Sequence, residues 1–172
     1  MQRCMNLNRS ACLFLVNKAH TMQIQFTPVA TVRNSRARPV DDNWQSIISE
    51  IELAAHIPDE AFMGIEQFSH LEIIYFFHRL QNAEPVFFGY PRGNKTYPQM
   101  GIFAQRKKDR PNAIGLCTVE LLAHKGRTVA VKFLDAIDGT PVLDIKPVFK
   151  EFAPQTAIQQ PAWATDLMTH YW

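Results

Sequence analysis

The densest chemistry in the sequence is the run Arg106-Lys107-Lys108-Asp109-Arg110-Pro111-Asn112, four cations, one carboxylate, a proline and an amide between apolar flanks. A guanidinium presents paired donors that match a carboxylate or a phosphate, and an ammonium presents a point charge to the same groups. Asn112 adds an amide able to read an adenine edge. Gly101 and Gly115 bracket the run, and glycine permits close approach of backbone to a ligand. As structure alone, the run is an exposed turn stopped by Pro111. As function, it is an anion-binding loop whose guanidinium groups would bind a carboxylate or phosphate.

Two other stretches carry groups of interest. In LDAIDGTPVLDIKP, residues 134–147, the carboxylates of Asp135, Asp138 and Asp144 fall at expected strand ends. They suit a cationic ligand or a general base. They equally suit a hairpin with an Asp138-Gly139 turn and solvated aspartates, and spacing alone leaves both open. In GIEQFSHLEIIYFFH, residues 64–78, the aromatics read as core. His78 is a core histidine unless the strand end at His78-Arg79 opens into a cleft.

Several chemistries are disfavoured. The six histidines have no metal-ligand spacing with one another or with a cysteine. Three cysteines without a CxxC pair form neither a disulfide framework nor a zinc site. Cys117 reads as a small core residue, and the cysteine usage suits the reducing cytoplasm. No GxGxxG, Walker A or GxSxG motif occurs, which argues against a doubly wound nucleotide-binding domain and a serine hydrolase.

Charge is segregated along the chain. Residues 41–84 hold nine acids against the single base Arg79, and residues 92–110 hold six bases against the single acid Asp109. That distribution predicts one anion-facing surface rather than a uniformly basic coat. The alternative is mutual neutralisation of the two blocks in the fold.

The elements that must position these groups are short strands. Periodicity and β-branched or aromatic content predict strands at 23–32, 47–53, 71–78, 101–104, 113–122, 127–134 and 142–145. Residues 82–100, punctuated by Pro85, Gly89, Pro91, Gly93 and Pro98, read as a long irregular loop, and 58–64 as a helical turn. Pro161 is expected at the first position of a terminal amphipathic helix. Many short strands without βαβ alternation predict an all-β fold, a small β-barrel with short helices and a C-terminal helical segment. The apolar run 11–16 is too short to span a bilayer, and no small-residue cleavage site follows it. Residues 1–21 are thus expected to be a disordered extension or to precede the true start at Met22. The barrel domain is expected over 22–153 and a helical tail over 154–172.

The three stretches, in this order and at these spacings, resemble the TsaA-like family over residues 24–152. The resemblance implies a small β-barrel that binds S-adenosylmethionine without a Rossmann fold, usually as a homodimer. It implies methyl transfer to N6 of a threonylcarbamoyl-modified adenosine beside the tRNA anticodon. By motif, the cofactor site would take His78, Arg79, Arg106, Leu116, Asp135, Ala136, Ile137 and Asp138. A segment around Asp42, Asn43 and Trp44 would close it. Lys107, Lys108, Arg110 and Asn112 would meet the substrate, and Asp138 or His78 would serve as the base. A small-molecule or other RNA acceptor, and a non-catalytic ligand-sensing barrel, are the competing readings.

Overall fold

The computed structural model describes residues 24–80 and 84–172. The expectations for residues 1–21 lie outside the described residues. Eight strands form: β1 (Ala30–Arg33), β2 (Ile48–Leu53), β3 (His70–Phe76), β4 (Phe88–Gly89), β5 (Met100–Gly101), β6 (Ile114–Lys125), β7 (Thr128–Lys132) and β8 (Pro141–Pro147). Six of them close an antiparallel barrel in the order β1-β2-β7-β6-β3-β8, and β4-β5 make a separate two-stranded ribbon. The all-β expectation is therefore met by a closed barrel.

Alternation of side chains explains the closure. Along β2 and β3 every second residue is buried, placing Ile51, Leu71, Ile73 and Tyr75 in the interior. Val129 and Val131 of β7 and Val142 of β8 meet them there. A slip of one residue would turn each of these sets outward, so the core pins the register. The long β6 serves two partners, pairing with β3 through Phe76↔Ile114 to His70↔Glu120 and with β7 beyond.

Several boundaries differ from expectation for local reasons. β1 begins only at Ala30, because Pro28 has no N–H to give a ladder. β3 ends at Phe76, and His78–Leu80 form a 3-10 turn. Residues 101–104 are not a strand: Gly101 ends β5 and Ile102–Ala104 turn as 3-10 helix. The loop over 82–100 contains β4 and a 3-10 turn at Pro91–Gly93. Phe133 takes φ 66°, which ends β7 and turns the chain into the Asp135 segment. The terminal helix α1 covers Ala162–Leu167, with Pro161 as its N-cap rather than its first residue.

No helix among the described residues is long and apolar enough to cross a membrane.

Candidate active site

One cavity of about 530 Å³ opens at the end of the barrel. Its wall draws on β3 and its following turn (Tyr75, His78, Arg79), the cationic loop (Arg106, Lys107, Lys108) and the segment after β7 (Asp135, Ala136, Ile137). Asp41 and Trp44 close another part, and the tail contributes Trp163, Met168 and Tyr171. Residues far apart in sequence thus meet because β3, β6 and β7 deliver their connections to the same barrel end.

Asp135 is the most tightly held group in this wall. Its Oδ1 accepts a hydrogen bond from the Tyr75 hydroxyl at 2.6 Å, and its Oδ2 accepts one from the Tyr171 hydroxyl. Burial and then the Asp135 carboxylate push both phenols above the ordinary tyrosine range. They are therefore neutral donors, and the carboxylate they clamp is fixed in position. Cys117 is pushed up by burial in the same way, and its thiol donates to the Phe133 carbonyl at 2.9 Å.

Arg106 reaches back to donate to the carbonyl of Leu116 in β6. That anchor uses one of its five N–H donors. No carboxylate pairs with Arg106 among the described residues. Its charge is thus free to meet an anion in the cavity. His78 is lowered from the ordinary histidine value, first by burial and then by the charge of Arg79, so its ring is neutral near pH 7.

The structure brings together His78, Arg79, Trp44, Arg106, Lys107, Lys108, Asp135, Ala136 and Ile137 around the cavity. Other expected residues stand elsewhere. Asp138 is not in the cavity wall: its Oδ1 accepts from the Asn34 N–H at 3.2 Å, and its own N–H donates to the Arg36 carbonyl. It organises the turn, as a DG pair does. Asp42 pairs with Arg92 at 2.7 Å, and Asn43 takes φ 62° and gives its N–H to the His170 carbonyl. Both hold the closing segment rather than face the cavity. Leu116 contributes its carbonyl to Arg106 while its side chain is 44% exposed. Arg110 donates to the Gln105 carbonyl and stands with Asn112 outside the wall. Gly115 serves Tyr75, not a ligand: a Cβ there would lie 2.3 Å from the ring.

Sequence reasoning missed Arg92 in the wall and several residues that brace it from behind. Arg92 bridges Asp42, donates to the Asp41 carbonyl and lies over the Tyr171 ring at 5.8 Å. Arg36 stacks on Trp44 at 4.3 Å while donating to the carbonyls of Asp42 and Asn43. Asn34 links Ser49 and the Ala136 carbonyl. The tail is strapped down by Trp44 N–H to the Tyr171 carbonyl and by the Tyr97 hydroxyl to Asp166. Only the aromatic crowding of the tail hinted at such a role. Of the two charge blocks, the described residues join just one ion pair, Asp42–Arg92, so the cations of the loop are not neutralised by the acidic block.

The chain is thus a small closed antiparallel barrel whose end cavity holds a fixed carboxylate and a guanidinium without a carboxylate partner among the described residues. Residues 27–153 match the tRNA-methyltransferase O N-terminal domain, and the chain belongs to that family. It is 38% identical over 133 residues to the "Probable S-adenosyl-L-methionine-binding protein" of Methanothermobacter thermautotrophicus, covering 76% of this chain and 93% of that one. It is 37% identical over 113 residues to the tRNA (adenine(37)-N6)-methyltransferase of Escherichia coli, covering 61% of this chain and 47% of that one. The fold is similar to the crystal structure of TrmO from Pseudomonas aeruginosa, with a TM-score of 0.65 and 27% identity over 83% of this chain and 63% of that one. The chain therefore spans nearly all of the archaeal relative and about half of the Escherichia coli one.

Proposed function

We propose that this chain is an S-adenosylmethionine-dependent methyltransferase acting on N6 of a threonylcarbamoyl-modified adenosine in the tRNA anticodon loop. The observation that carries it is a cavity in which Arg106 lacks a carboxylate partner while Asp135 is clamped by two neutral phenols. S-adenosylmethionine has a carboxylate and two cationic centres, and this donor set fits both signs of charge. The volume of about 530 Å³ lies within the range of small-molecule sites. The names of the relatives support the same cofactor and N6 of a tRNA adenine as the acceptor.

When bound, the cofactor supplies a methyl group on a sulfonium. Arg106, held by the Leu116 carbonyl, takes the carboxylate end. Asp135 balances the cationic end without needing to reorganise, because its phenol partners are already in place. Trp44, Ile137 and Met168 give the wall apolar surface. Methyl transfer is an in-line displacement, so these residues act chiefly by positioning. Of the two base candidates, His78 faces the cavity with a neutral ring and receives the N6 proton, and Asp138 is set aside as a turn residue. Lys107 and Lys108 at the rim meet substrate phosphates. The family resemblance supports a homodimer, and the cysteine usage suits the cytoplasm.

The test is incubation of the protein with methyl-labelled cofactor and an extract from cells lacking it. Label in tRNA at N6 of the modified adenosine is expected. Label in small molecules alone would discard the tRNA acceptor, and cofactor binding with no label anywhere would favour a ligand-sensing barrel.

A further inference from the structure

Beside the cavity, the β4-β5 ribbon carries aromatic rings that the barrel core does not use. Phe87 is 63% exposed, Phe88 68% and Phe103 82%. Scattered exposed apolar residues are ordinary, but here the exposed phenyl rings fall together on one small ribbon and its following turn. Backbone hydrogen bonds fix where that patch lies. Ile102 N–H donates to the Phe87 carbonyl at 2.8 Å, and Val86 N–H donates to the Asp109 carbonyl at 3.2 Å. The segment bearing Phe87 and Phe88 is thus laced both to the turn bearing Phe103 and to the cationic loop. Gln105 ties the assembly together, giving its side-chain N–H groups to the carbonyls of Met100 and Gly89. The next residues, Arg106, Lys107 and Lys108, form the cavity rim. Aromatic ribbon, cationic loop and cavity are successive parts of one connected surface.

We propose that Phe88 and Phe103 are a stacking platform for unpaired bases of the RNA substrate, whose backbone runs along Lys107, Lys108 and Arg110. This rests on the methyltransferase reading. A base whose N6 is modified in the cavity must leave its stack, and its neighbours then present bare π-faces. Phenyl rings cover such faces whatever the base, while adjacent cations follow the phosphates. The charge beside the patch selects this occupant over a second copy of the chain. Protein–protein interface cores are depleted in lysine, and a polyanion is what a ribbon laced to a lysine-rich loop accommodates. A duplex keeps its base faces inside the stack and would gain little from the rings.

The experiment uses the full chain with Phe88→Ala and Phe103→Ala together, both exposed positions. Fluorescence anisotropy reads affinity for a labelled RNA hairpin with an unpaired loop and for a blunt RNA duplex of equal length. The platform predicts roughly a 30-fold loss for the hairpin and little change for the duplex. Calorimetric affinity for S-adenosylmethionine and the sedimentation coefficient should be unchanged, and Phe→Trp at both positions should restore hairpin binding. Unchanged hairpin affinity, with tRNA methylation retained, would overturn the platform and leave the methyltransferase reading standing. A change in oligomeric state would also overturn it, by assigning the patch to a contact between copies. A parent chain that neither binds the hairpin nor methylates tRNA would sink the methyltransferase reading itself.

Discussion

Gly115 lies directly against the ring of Tyr75, its partner across the β3-β6 ladder, and a Cβ on Gly115 would stand 2.3 Å from Tyr75 Cζ. The ring passes over the glycine to reach Asp135, which its hydroxyl meets at 2.6 Å. One hydrogen atom in place of a methyl group therefore governs whether the carboxylate of the cavity has its inner clamp.

Gly115→Ala is expected to destabilise the chain by about 3 kcal/mol, the upper part of the usual range for overpacking. Urea unfolding measures it. The cost should shrink markedly in a Tyr75→Ala background, because the clash partner is gone. Additive effects of the two substitutions would remove this account.

The tyrosines set an alkaline limit. Tyr75 and Tyr171 hold their protons more tightly folded than unfolded, through burial first and Asp135 second. Their contribution to stability is complete below the unfolded-state pKa of about 10 and is lost as pH rises above it toward the folded-state values. Tyr75→Phe should flatten that alkaline fall while costing about 1 kcal/mol at neutral pH from the lost hydrogen bond. An alkaline limb of unchanged steepness would show that other groups cause it.

Arg106 carries the anion end of the proposed cofactor site. Arg106→Ala should weaken S-adenosylmethionine binding roughly 100-fold, the size of a lost charge-assisted hydrogen-bond pair. Arg106→Lys should recover part of that affinity but not the fork geometry. Calorimetry showing equal affinity in the parent and the Ala variant would take Arg106 out of the site.

His78 provides a pH signature. Its folded-state value lies below the ordinary 6.5, so its ring is neutral and able to accept a proton above that value and loses this ability as pH falls below it. The rate of methyl transfer should therefore be level near pH 7 and fall on an acid limb whose midpoint lies under pH 6.5. His78→Gln should lower the rate and abolish that limb. Retention of the limb in the variant would assign it to another group.

Lys107 and Lys108 should make RNA binding depend on salt. The double Ala variant is expected to reduce the slope of log affinity against log salt by about 2. An identical slope would place the phosphate path elsewhere.

The barrel was legible in the sequence because its signals are local. Alternation in 47–53 and 127–134, the apolar run over 71–78 and the Asp138-Gly139 turn each report which face of a strand is buried, and burial dictates register. The cationic character of the loop and the charge of Asp135 were equally plain, being properties of residue type. What the residues could not disclose is which of them converge. Asp135 and Asp138 look alike in sequence, yet Phe133 at φ 66° and the Asn34 hydrogen bonds aim one into the cavity and commit the other to a turn. Gly115 reads as a glycine that lets a ligand approach until the ladder puts it opposite Tyr75. Tyr171 and Arg92 meet Asp135 and Asp42 across 36 and roughly half a hundred residues of chain, contacts with no local pattern to announce them. Local periodicity determined the strands; the closure of the barrel, a long-range event, decided which charges face one another across the cavity.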